Sequence, residues 1–141
     1  MSPAWILCAI GLLAGTGIGA LALAAPRLAL RMLGVRVEGG RGGEGETRAI
    51  GGLLVFAHLL PALVAVFAAA EVLGYRRGTI SQFSGMIVIA PIALGWFGAG
   101  LGRMLSIFAD GTDKVLNWRL TFLDLVLAFM IAMPWSTQLV T

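Results

Sequence analysis

The sequence predicts an all-α integral membrane protein, a four-helix bundle with a short interfacial helix after the first span. Three observations predict it. Of 141 residues, 59% are hydrophobic and 12% charged, against about 45–50% and about 25% in soluble domains, and the mean hydropathy is +0.95. Four runs approach or exceed the length of about 20 apolar residues that crosses a hydrocarbon core about 30 Å thick. The basic residues fall mostly between those runs. Helices are the form required, because lipid offers backbone N–H and C=O groups no partner. The short alternating strands of a membrane β-barrel are missing from the pattern. The length suits one domain, residues 1–141.

The first run, residues 4–25, carries no charge, and Thr16 is its one hydroxyl. It is longer than a signal-peptide core of about 7–15 residues and lacks a basic leader. Arg27 and Arg31 follow it as topological anchors, so it is expected to be a retained span. Residues 26–34 then open on proline and close on glycine, as a short helix does. Arg27 and Arg31 lie one turn apart on one face, where an interfacial helix would bring them to anionic lipid headgroups. The glycine-rich stretch 38–46 mixes charges of both signs and is expected to be a mobile cytoplasmic loop. It has no Lys-Ser or Lys-Thr after its glycines and no preceding strand, so it is not a phosphate-binding loop.

The second run, 50–73, contains His58 and, near its far end, Glu71, which Arg76 or Arg77 could pair at the surface. The third, 86–108, is clean until Arg103, and the fourth, 115–135, is the weakest, with Asn117, Arg119, Thr121 and Asp124. Asp110 to Asp113 is too short for a calcium loop, which takes about twelve residues. Eight basic residues flank the first and third connections and only Arg76 and Arg77 the second. That asymmetry places the first and third connections in the cytoplasm and both termini outside.

Small residues decide helix packing in lipid. Gly11, Gly15 and Gly19 recur every fourth residue in the first span, and Gly98 and Gly102 repeat the spacing in the third. Both sets are expected to pack helices, within the chain or against a second copy or partner subunit. Pro61 and Pro91 are expected to kink their helices. Trp5, Trp96, Trp118 and Trp135 fall mostly near span ends, as headgroup anchors do. The single cysteine, Cys8, reads as a packed thiol.

Charge inside a span is costly, about 2.5–3.5 kcal/mol at mid-bilayer, so such residues are the candidate functional ones. At about 1.5 Å per residue from the cytoplasmic ends of the runs, His58, Arg103 and Asp124 share one polar layer with Thr16 near it. An Arg103–Asp124 ion pair is expected, with His58 beside it as a hydrogen-bond partner. The layer reads as a structural lock between helices, as a proton or ion relay, or as a recognition site.

The pieces Ala25-Pro26-Arg27, Arg31, Leu33-Gly34, Arg48, Gly51-Gly52, Gly102-Arg103, Ser106, Asp110-Gly111 and Asn117-Trp118 together resemble a family of small four-span inner-membrane proteins of proteobacteria, some labelled phage infection protein. The resemblance implies a bacterial cytoplasmic membrane and a four-helix bundle, and it brings no catalytic residues.

The net charge of +3 and a pI near 10.0 do not make a nucleic-acid binder, because the arginines form no stripe on one face. No nucleophile–base set is apparent, and one histidine cannot supply a paired-histidine metal site, so neither catalysis nor a cofactor is expected. The sequence therefore points to a non-enzymatic membrane protein whose partners are the bilayer and a second copy or another membrane subunit, an accessory, a scaffold or a component exploited in phage infection. The alternative is a small proton- or ion-coupled transporter using His58, Arg103 and Asp124. Small multidrug transporters keep a carboxylate in their first span; this first span has none.

Overall fold

The computed structural model describes residues 3–33, 44–72, 82–109 and 114–136. Within them the chain forms five helices: α1 (Ala4–Ala24), α2 (Pro26–Met32), α3 (Glu44–Val72), α4 (Gln82–Ala109) and α5 (Lys114–Ser136). α1, α3, α4 and α5 run 21, 29, 28 and 23 residues. At about 1.5 Å per residue each spans about 31 Å or more, enough for a bilayer core. All four contain a stretch apolar enough to cross a membrane. The chain is a membrane-spanning all-α four-helix bundle.

Pro26 sets the break between α1 and α2. It has no N–H to continue the ladder, and Ala25 leaves helical geometry at φ −131°, ψ 64°. The Ala25 N–H still donates to the Leu21 carbonyl at 2.8 Å, while Leu28 and Ala29 turn back to the Ala25 carbonyl. The expected short helix is therefore present, although Gly34 lies outside the described residues. Of the glycine-rich stretch 38–46, Glu44, Gly45 and Glu46 are not loop: they form the first turn of α3. Two carboxylates there complement the positive end of the helix dipole, so α3 begins six residues before the apolar run does. The rest of that stretch lies outside the described residues, as do Asp110 to Asp113 and the side chain of Glu71 with Arg76 and Arg77. The helices continue through Pro61 and Pro91, and also through Pro134.

The four long helices close a ring in the order α1–α3–α4–α5, with α1 and α4, and α3 and α5, on the diagonals. α1 packs most closely against α3, and the α3–α4 side is the sparsest. The interior is built of small residues. Ala9, Ala62, Ala65, Ala68, Ala69 and Ala93 are buried with Cys8, Leu12, Ile89 and Ile131. The periphery is built of large ones: Phe56 is 79% exposed, and Phe108, Phe122 and Leu53 are similarly open. A bundle folding in water buries its phenylalanines and leucines to gain hydrophobic free energy. In lipid that gain vanishes and small side chains win the interior by allowing helices to approach.

Gly19 and Gly51 give the closest approach. A Cβ on Gly19 would lie 2.8 Å from the Val55 nitrogen and 2.9 Å from the Gly51 carbonyl oxygen, and one on Gly51 would lie 2.7 Å from the Gly19 oxygen. Here α1 and α3 touch backbone to backbone. Gly15 faces the His58 ring, and Gly11 faces Met130 and Ile131 of α5. The α1 stripe thus packs within the chain. The α4 stripe does not: Gly98 and Gly102 are exposed, and a Cβ on either would meet nothing. The glycine that admits α5 is Gly100, whose Cβ would stand 3.1 Å from Leu125 and 3.5 Å from Asp124.

Trp5 corrects another expectation. It is 4% exposed, inside the core rather than at a headgroup, and its ring tip lies against Gly85 across the α1–α4 diagonal. A glycine opposite it leaves room for the indole. Trp96 and Trp135 are half-buried against the core, and Trp118 is exposed, edge-to-face with Phe108 at 6.1 Å.

Candidate functional site

The polar residues of the spans form two sites rather than one layer. The first joins α4 to α5. Arg103 donates from Nε to Asp124 Oδ2 at 2.8 Å, the expected ion pair. Gly100, one turn before Arg103, removes the side chain that would hold α5 away, and Asp124 sits at the resulting close approach. A charge-assisted hydrogen bond in this setting is stronger than a neutral one and ties the two helices in register.

The second site joins α3 to α4. Trp96 Nε1 donates to His58 Nε2 at 2.8 Å, and His58 Nδ1 stands 2.8 Å from the Leu54 carbonyl oxygen. An indole nitrogen can only donate, so Nε2 is the acceptor and Nδ1 carries the proton and donates to Leu54. Both ring nitrogens are committed. The imidazole, 2% exposed, also lies against Gly15 of α1 and edge-on to the Trp96 ring at 5.7 Å. One side chain thereby ties three helices.

His58 is therefore not the hydrogen-bond partner of the Arg103–Asp124 pair. Trp96 precedes Arg103 by seven residues, two turns or about 10 Å along α4. The offset has a plain cause. Because α3 starts at Glu44 and not near residue 50, His58 lies about 21 Å from the start of its helix, deeper than the apolar run suggests. Thr16 joins neither site; its hydroxyl donates to the Leu12 carbonyl at 3.0 Å, within its own helix.

Trp96 is the residue that sequence reasoning missed as a functional partner. A signal was present. Trp96, Gly100 and Arg103 stand at i, i+4 and i+7, one helix face. If Arg103 turns inward to a carboxylate, Trp96 and Gly100 turn inward with it, while Gly98 and Gly102 turn out.

At the α2 end, Arg27 Nε meets Glu44 Oε1 at 2.6 Å, with the side chains 63% and 20% exposed. Arg27 thus ties α2 to α3 through Nε with most of its side chain still exposed, and Arg31 is exposed as well. Among the described residues, no three His, Cys, Asp or Glu side chains gather into a set able to hold a metal ion. An open groove of about 320 Å³ runs along the α4–α5 seam between Leu94, Phe97, Phe129 and Trp135. Its walls are apolar, so it has no group with which to perform chemistry.

The class defined by this fold and these sites is a membrane-spanning helical bundle cross-tied by intramembrane hydrogen bonds. No family model, no curated protein and no solved structure matches the chain.

Proposed function

We propose that this chain is a non-enzymatic structural subunit of a bacterial cytoplasmic membrane, an accessory or scaffold that a partner membrane protein, or an infecting phage, engages. The reading is supported by one observation above the rest. His58, Arg103 and Asp124 each hydrogen-bond a neighbouring helix of the same chain, as groups that fix a shape do. A relay needs titratable groups that exchange partners, and the two sites are about 10 Å apart along α4. The excess of Arg and Lys around the first and third connections supports cytoplasmic connections and outward termini. The four-span architecture supports a membrane subunit, and the resemblance of the motif pieces to the phage-infection family favours the same assignment.

Reconstitution into proteoliposomes separates this subunit from a proton- or ion-coupled carrier. The subunit gives no proton flux and co-purifies with a stoichiometric membrane partner under mild detergent. Proton flux that disappears in Asp124→Asn would overturn the proposal in favour of the carrier.

A further inference from the structure

The groove along the α4–α5 seam has a floor and rims of different size. The floor is alanine: Ala93 is 4% exposed and Ala128 7%, and Ala132 lies with them. The rims are large and exposed, Leu94 and Phe97 from α4 and Phe129 from α5. Small side chains let the two helices approach, and the large ones outside them leave a trough that neither helix fills.

Its ends fix its depth in the membrane. On α5 the lining runs from Leu125 to Trp135, from the middle of a helix that covers Lys114–Ser136 to its last turn. That stretch rises about 15 Å, half of a hydrocarbon core about 30 Å thick. The trough therefore occupies one leaflet and runs alongside the acyl chains, from the midplane to Trp135, whose half-buried indole suits the interface.

Width decides the occupant. A volume of about 320 Å³ over about 15 Å of helix leaves a cross-section of about 20 Å², about 5 Å across. A further transmembrane helix, about 10–12 Å in diameter with its side chains, is too wide to enter. A single polymethylene chain, whose carbons meet their neighbours at about 3.5–4.0 Å, is not. The walls are apolar, so the trough reads a chain and not a headgroup, and an unfilled trough would forfeit the dispersion contacts of its lining.

We propose that the α4–α5 trough is a binding site for one acyl chain of a glycerophospholipid in the leaflet where α5 ends. That lipid stays resident, while those against the exposed Phe56 and Phe122 exchange freely. The site is the same whether the chain serves as a subunit or as a carrier.

The test uses the full chain in nanodiscs of dipalmitoyl phosphatidylcholine, released gently and weighed by native mass spectrometry at rising collision energy. One lipid per chain is expected to persist at energies that strip the others. Exchanging the headgroup for phosphatidylglycerol should leave it in place, and an excess of dioctanoyl phosphatidylcholine, whose chains are too short to fill the trough, should not displace it. Ala132→Leu raises the floor and Phe129→Ala removes an exposed rim; each should lower the retained fraction several-fold, whereas Phe56→Ala on α3 should leave it unchanged. Should Ala132→Leu fail to fold, Phe129→Ala decides alone. A wild type that keeps no lipid, retention that follows the headgroup, or retention undiminished in Phe129→Ala overturns the proposal. A lipid-free dimer that Ala132→Leu dissociates would also overturn it, giving the trough to a second copy.

Discussion

Asp124→Leu leaves the Arg103 guanidinium without its carboxylate inside a span, at about 2.5–3.5 kcal/mol on insertion scales. Folded yield in detergent should fall sharply, and adding Arg103→Leu should restore it. A normal yield of Asp124→Leu alone would show that the pair does not hold the bundle. Trp96→Phe keeps the ring but removes the donor to His58 Nε2. It should lower thermal stability by about 0.5–1.5 kcal/mol, one net hydrogen bond, and an unchanged melting curve would count against the three-helix tie. The ion pair was legible in the sequence because two opposite charges at similar depth, on helices joined by a short connection, have few other partners. The partner of His58 was not legible, because its depth was reckoned from the start of the apolar run. The helix begins earlier, in the polar turn Glu44-Gly45-Glu46, and hydropathy alone does not register where a helix starts.

At the scale of elements, glycine spacing reveals which residues share a face but not which way that face turns. The α1 stripe and the α4 stripe have the same period and opposite fates. Gly19→Ala would drive a methyl group into the α3 backbone near Gly51, and should destabilise by about 1–3 kcal/mol, as overpacking does. Gly98→Ala meets open space and should be neutral or stabilising by about 0.5–1 kcal/mol, the helix preference of alanine over glycine. Thermal melting of the two variants in one detergent reads the difference, and equal effects would contradict the assigned rotation of α1 or α4. The phase of α4 follows from its contacts: Arg103 to Asp124, Trp96 to His58 and Gly100 to Leu125 all lie on one side. Trp5 shows the same limit. Its place near the end of a span reads as an interfacial anchor, yet Gly85 opposite it opens room in the core.

For the whole molecule, span number and helical class were legible because apolar length and the bilayer's need for satisfied backbone leave few alternatives. Membrane orientation rests on charge asymmetry. In a Cys8→Ser background, Arg76→Cys should react with an impermeant maleimide from outside intact cells, and Arg41→Cys only after the membrane is opened. The reverse pattern would invert the topology. The account as a whole stands on an interior of alanine and glycine and a surface of phenylalanine and leucine that faces acyl chains. Nitroxide labels at Phe56→Cys, Leu94→Cys and Phe129→Cys, in liposomes and in that same cysteine-free background, test it most directly. Collisions with dissolved oxygen should be frequent at all three positions, and collisions with a water-soluble nickel chelate rare. Strong relaxation by the chelate at these sites would mean that water, not lipid, surrounds the bundle.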